Sequence, residues 1–181
     1  IRMKRVKIHD KEFELYIPAE KIQSVVEEMA GKINKEFAGK NPLFLCVLNG
    51  AFMFATELFK RLDFVDAQIT FVKLASYQGT QTTGKIKQLI GLNENIEGRT
   101  VVILEDIVDT GITIEKTIEQ LQCLAPKEVH VATLLLKPDA LQKEVDLKYT
   151  GIEIPNEFIV GYGLDYDGLG RNLPDIYSIV K

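Results

Sequence analysis

Apolar residues along the chain follow two rhythms, and the switches between them mark its elements. Residues 7–16 read as a short hairpin around His9-Asp10. After Pro18, which suits a first helical turn, Ile22, Val25, Val26, Met29, Ile33 and Phe37 recur at helical spacing and predict an amphipathic helix packed on a core. Gly39 and Pro42 then punctuate the chain. Residues 43–48 form a continuous apolar run, and 52–62 return to the helical rhythm. Strand-like runs follow at 68–74 and 86–92, then an unbroken β-branched run at 101–104, a helical pattern at 114–124 and an apolar strand at 129–136. Strands without polar alternation are buried on both faces, as in a parallel sheet. The last third reads as shorter strands and turns, with an apolar end at 176–180. The expected fold class is α/β: a three-layer domain with a mostly parallel central sheet, plus a small hood. One domain over 1–181 is expected, its hood built from the N-terminal hairpin (about 1–17) and C-terminal segments (about 137–181).

Composition narrows this picture without changing it. The chain has 181 residues, 46% of them hydrophobic and 27% charged, enough for a sizeable core in one ordinary domain. A formal net charge of −4 gives no chain-wide basic footprint, so no nucleic-acid partner is expected. No apolar stretch approaches membrane-spanning length, and Ile1-Arg2-Met3-Lys4-Arg5-Val6 does not read as a secretory signal. Cys46 and Cys123 both fall in expected core elements without metal-ligand spacing, which suits a reducing cytoplasm; with no membrane-length apolar stretch, no membrane association is expected.

One boundary carries more chemistry than the rest. Residues 101–113 read VVILEDIVDTGIT, with adjacent carboxylates at Glu105 and Asp106, a third acid at Asp109, then Thr110, Gly111, Ile112 and Thr113. Open α/β sheets hold ligands at the carboxyl ends of their strands. A Thr- and Gly-rich turn that opens a helix presents unpaired N–H groups and the positive end of the helix dipole, which together seat a phosphate. Acids beside that seat would repel a bare phosphate. They fit a ligand that also brings sugar hydroxyls, a divalent cation or a base needing a proton. Asp-Thr-Gly also occurs in aspartic proteases, but there it works as a symmetric dyad, and here it occurs once and leads into a helix. No P-loop is present, and Gly161-Tyr162-Gly163-Leu164-Asp165-Tyr166 lacks the last glycine of a dinucleotide fingerprint.

Further segments stand out. Leu48-Asn49-Gly50-Ala51 is a second strand, tight turn and helix start; polar residues and glycine fill 78–85 after Ser76-Tyr77; and Lys137-Pro138 closes an apolar strand. Each has an ordinary reading: a plain βα turn, a hairpin, a snorkelling lysine. His9 in a turn and His130 in a strand pattern read as structural, and no spacing argues for Ser/His/Asp or Cys/His chemistry, so covalent nucleophilic catalysis is not favoured.

The block at 101–113 resembles the phosphoribosyl-diphosphate (PRPP) motif of type I phosphoribosyltransferases. Leu48-Asn49-Gly50, Ser76-Tyr77, Lys137-Pro138 and Phe158-Ile159-Val160-Gly161-Tyr162-Gly163-Leu164-Asp165-Tyr166, with Arg171 beyond, resemble the hypoxanthine-guanine phosphoribosyltransferases in particular and in the family's order. The resemblance implies transfer of the 5-phosphoribosyl group from PRPP to N9 of hypoxanthine or guanine, giving IMP or GMP and pyrophosphate, with Mg²⁺ as cofactor. It places the 5′-phosphate on Asp109, Thr110, Gly111, Ile112 and Thr113, and makes Asp109 the catalytic proton-transfer group at purine N7. Glu105 and Asp106 hold the ribose diol and the metal environment, and Asp165 is a further metal ligand on the purine side. Leu48, Asn49, Gly50 and Arg171 bind pyrophosphate; in the family this loop often holds a non-proline cis peptide, and many relatives carry lysine where Asn49 stands. Ser76 and Tyr77 belong to a mobile lid. Lys137 donates to the 6-oxo group, Phe158 stacks on the purine, and the Ile159 backbone reads its edge. Gly168-Leu169-Gly170, Glu157 and Leu141 depart from the family pattern at its margins. A homodimer or homotetramer is also implied. The reading kept beside it is a phosphoribosyltransferase-like regulator that senses PRPP or a nucleotide without turnover.

Overall fold

The computed structural model describes residues 1–78 and 85–181, with side chains of 76–78 and 85–87 left out. Two sheets organise it. The larger has six strands in the order β5-β4-β3-β6-β7-β8: β3 (Leu43–Val47), β4 (Gln68–Gln78), β5 (Lys85–Ile90), β6 (Thr100–Val108), β7 (Glu128–Leu136) and β8 (Tyr149–Glu153). All neighbours are parallel except β4 and β5, which form an antiparallel hairpin. The smaller sheet is fully antiparallel, in the order β1-β2-β10-β9: β1 (Arg5–Ile8), β2 (Lys11–Ile17), β9 (Ile159–Val160) and β10 (Ile176–Ile179). It is the expected hood, and its hairpin turns at His9-Asp10.

Two helices, α1 (Ala19–Phe37) and α2 (Phe52–Lys60), cover one face of the large sheet, and α3 (Ile112–Gln122) covers the other. The alternation of strand side chains assigns the faces. Phe44, Cys46, Val102 and Leu104 pack with Ile22, Val26, Ile33, Phe54 and Leu58, whereas Leu43, Leu45, Val101 and Ile103 pack with Ile114 and Leu121. Every residue of β3 is buried, which explains its lack of polar alternation. The hood has its own small core of Ile8, Phe13, Val160, Leu173 and Tyr177.

Three details differ from the sequence reading. The hood takes less of the C-terminal third than 137–181, because β8 pairs with β7 and extends the large sheet instead. Gly151 lets β8 come close: a Cβ there would crowd the Leu134 carbonyl and Val25. Cys123 is exposed rather than core, because α3 ends at Gln122 and Cys123 is its C-terminal cap. Finally, β6 does not stop before its acids. It runs through Glu105 and Asp106 to Val108, with Glu105 opposite Thr133 and Val108 opposite Leu136 on β7. No helix among the described residues is long and apolar enough to cross a membrane.

Candidate active site

The sheet order selects where a ligand sits. From β3 the chain crosses through α2 to β4 on one side; from β6 it crosses through α3 to β7 on the other. β3 and β6 are adjacent, so their carboxyl ends diverge and leave a crevice at the point where the winding reverses. A cavity of about 360 Å³ occupies that crevice, lined by Leu48, Asn49 and Gly50 after β3, by Glu105 to Gly111 and Thr113 at the end of β6, and by Asp165 and Arg171.

The loop after β6 is shaped for an anion. Gly111 caps α3 with φ +86°, a left-handed conformation that glycine adopts without penalty. No side chain caps the helix, so most of the leading N–H groups stay open to a ligand; Ile112 N donates to Thr110 Oγ1 at 3.3 Å. Gln142 N and Lys143 N donate to the Thr110 carbonyl at 2.8 and 3.2 Å, so the 142–145 segment braces the loop from behind.

The loop after β3 contains a cis peptide between Leu48 and Asn49. Gly50 follows, and a Cβ on it would overlap the Asp106 carboxylate. The two βα loops thus meet through a glycine and an acid. Gly163 (φ +97°) closes the third side, its α-carbon pressed on the Gly50 carbonyl so that a Cβ would overlap that oxygen. Arg171 holds this corner: Nη1 donates to the Gly163 carbonyl at 2.7 Å, and Nη2 lies 3.3 Å from Asp165 Oδ1. Asp165 Oδ2 also accepts from Gly168 N at 2.8 Å.

The paired acids are electrostatically burdened. Glu105 is 5% exposed. Burial first, and then the neighbouring Asp106 charge, hold its carboxyl well above the usual carboxylate range. Burial likewise raises Asp106, against the opposing pull of the Ile107 N–H, which donates to Oδ1 at 2.7 Å. Cys46, beneath them, is pushed up to about 12 by burial and by both acids. A pair in this state gains from hydroxyl donors or a cation.

Lys137, Phe158 and Ile159, expected to meet the base, do not line the cavity. Lys137, only 8% exposed, sends Nζ to within 3.7 Å of Asp109 Oδ2, and its N–H donates to the Val108 carbonyl at 3.0 Å. Ile159 is buried in β9, opposite Ser178 on β10. Phe158 is 44% exposed and backed by Phe13 and Tyr166. The structure therefore gathers Asp109, Thr110, Gly111 and Thr113, the acids Glu105 and Asp106, and Leu48, Asn49, Gly50, Asp165 and Arg171 in one cavity; Ile112, Phe158 and Ile159 do not line it, and Lys137 meets it through Asp109. The side chains of Ser76 and Tyr77, and residues 79–84 of the expected lid, lie outside the described residues. Sequence reasoning missed Gly163 and the bracing segment, since contacts between distant loops leave no local pattern. The repeated glycines at 161 and 163 were the visible trace.

A phosphoribosyl transferase domain model matches residues 17–167. The hypoxanthine-guanine phosphoribosyltransferase of Staphylococcus aureus (strain Mu50 / ATCC 700699) is 38% identical over 173 residues, covering 95% of this chain and 96% of that protein. Among solved structures, a hypoxanthine phosphoribosyltransferase from Staphylococcus aureus superposes with a TM-score of 0.82 at 37% identity, over 92% of this chain and 91% of that one. The Trypanosoma cruzi hypoxanthine phosphoribosyltransferase in complex with the product IMP gives 0.83 at 30% identity, over 97% of both chains. With a reversal-point crevice, an uncapped helix start and paired acids in place, the chain belongs to the phosphoribosyl transferase domain family, among its hypoxanthine-guanine phosphoribosyltransferases.

Proposed function

We propose that the chain catalyses purine salvage: transfer of the 5-phosphoribosyl group of PRPP to N9 of hypoxanthine or guanine, yielding IMP or GMP and pyrophosphate. The observation that carries the reading is the single cavity in which the loops after β3 and β6 converge with Asp165 and Arg171. The open start of α3 takes the 5′-phosphate. Glu105 and Asp106 accept from the ribose hydroxyls, which offsets their burial. The turn at 48–50 and Arg171 hold the pyrophosphate as it leaves. Lys137 donates to the 6-oxo group, and Asp109, beside it, holds or moves the proton at purine N7. Positioning and charge stabilisation account for the rate without a covalent intermediate.

The donor set suits Mg²⁺. Glu105, Asp106 and Asp165 offer hard oxygens around one cavity, and no cluster of three or more His, Cys, Asp or Glu among the described residues forms a cage. A cation that takes one or two carboxylates and completes its shell with water and substrate phosphate fits such a site. Held by Asp165 or by the paired acids, it would neutralise pyrophosphate charge, a need sharpened by a lining with Glu105, Asp106, Asp109 and Asp165 but only Arg171 as a cation among the described residues. A cytoplasmic homodimer or homotetramer belongs to the same reading; exposed Phe52, with Met53 and Pro174 in an adjoining groove, is the apolar surface that supports association.

A steady-state assay with PRPP and Mg²⁺ against hypoxanthine, guanine, xanthine, adenine and uracil tests the proposal. Turnover confined to 6-oxopurines is expected. Tight PRPP or nucleotide binding without turnover of any base would instead make the protein a sensor.

A further inference from the structure

Phe158 presents a half-open ring, and a stacking platform is useful only if its plane is fixed before the ligand arrives. β9 is only two residues long, so the strand pairing that follows Phe158 is brief. Its orientation comes from two rings. Phe13, fully buried in β2, lies 5.9 Å away at a tilt of 40°, and Tyr166 meets it edge-on at 5.6 Å and 86°. Phe13 is locked by the hood core. Tyr166 packs against that core, its ring 6.0 Å from Phe13, but it sits on the 161–171 loop, outside the named strands, its backbone paired by an isolated bridge to Leu169. Its side chain is held from across the hood. The hydroxyl donates to Asp10 Oδ1 at 2.6 Å, 156 residues away in the β1–β2 turn. His9 from the same turn packs edge-on against the ring at 5.7 Å, and Lys11 Nζ stands 5.8 Å from its centroid.

We propose that Tyr166, tethered by Asp10, is a positioning residue that fixes the Phe158 ring and thereby sets affinity for the purine base. Neither Tyr166 nor Asp10 lines the cavity. The β1–β2 turn thus acts on base binding at a distance, through one hydrogen bond and one edge-to-face contact. A ring ordered in advance spares the base the cost of ordering it. The proposal rests on the reading of Phe158 as the stacking platform.

The test is a set of steady-state constants for hypoxanthine and for PRPP in Phe158→Ala, Tyr166→Phe, Asp10→Ala, Asp10→Asn and the Asp10→Ala/Tyr166→Phe pair. Tyr166→Phe and Asp10→Ala should each raise KM for hypoxanthine about fivefold, the effect of one ordinary hydrogen bond, with KM for PRPP and kcat unchanged. Asp10→Asn keeps an acceptor and should recover most of the loss. The double variant should be no worse than either single, because both remove the same bond. If Phe158→Ala weakens hypoxanthine but Tyr166→Phe and Asp10→Ala do not, the tether is wrong and the platform stands. If Phe158→Ala leaves hypoxanthine KM unchanged, the platform reading falls and takes the tether with it. Equal losses for PRPP and base, or additive losses in the double variant, would also overturn the proposal.

Discussion

The two sides of the site are built on opposite plans. The proposed phosphate side is mostly backbone: an open helix start and a tight turn with glycine against a carboxylate, beside Glu105 buried near the end of β6. Each of its parts spans a few consecutive residues. The proposed base side is side chain: Lys137 from the end of β7, Phe158 before β9, Phe13 from β2, Tyr166 from a loop and Asp10 from a turn. Backbone sites are held by the fold, and side-chain sites are held by one another. Substitutions on the two sides should therefore fail differently, through space and charge on one and through affinity for a single ligand on the other.

The largest effect should come from Asp109→Asn. It keeps the shape of the phosphate loop but removes the group assigned to the purine proton. Single-turnover rates should drop about a hundredfold or more, with PRPP binding by calorimetry near wild type. Normal turnover would remove Asp109 from the chemistry and leave the phosphate side purely a binding surface.

Gly50→Ala comes next. The added methyl meets the Asp106 carboxylate, and such overpacking costs about 2 kcal/mol, or roughly thirtyfold. The loss should fall on KM for PRPP and on pyrophosphate inhibition, with KM for the free purine base spared. Equal losses for both ligands would mean that the two sides are less separate than their construction indicates.

Lys137→Ala should be milder, raising KM for hypoxanthine about tenfold and narrowing the margin over adenine. Because Lys137 Nζ also lies 3.7 Å from Asp109, kcat should fall slightly as well. Unchanged kinetics with every base would show that the lysine serves packing alone.

Glu105→Gln gives the smallest shift and the opposite sign. Burial raises the Glu105 carboxyl above its ordinary 4.5, so the ligand-free native protein binds protons that the unfolded chain releases. Stability then declines as pH climbs from about 4.5 through the raised native value. Glutamine removes that decline, and the ligand-free melting midpoint at pH 8 should rise by about 2–4 °C, while KM for PRPP worsens. An unaltered pH slope would show that the pair carries no such burden.

The same division explains what the sequence revealed. The unbroken runs in β3, β6 and β7 have a local signature, as do the Asp-Thr-Gly turn and the hairpin at His9-Asp10, and each lies where the pattern placed it. The extension of β6 through Glu105 and Asp106 was not legible, because acids normally end a buried strand; here the sheet carries them on to Val108. Nor was the docking of β8, which depends on Gly151 against Leu134, or the seat of Gly163 on Gly50. The Asp10–Tyr166 bond joins residues 156 apart and is invisible to any reading by periodicity.

The glycine at 163 also has an engineering consequence. It is the narrow joint at which the carboxyl-terminal loop leans on the turn after β3, with no room for even one added carbon. A redesign toward a different nucleobase should therefore leave this joint bare and keep Asp165 and Arg171 beside it.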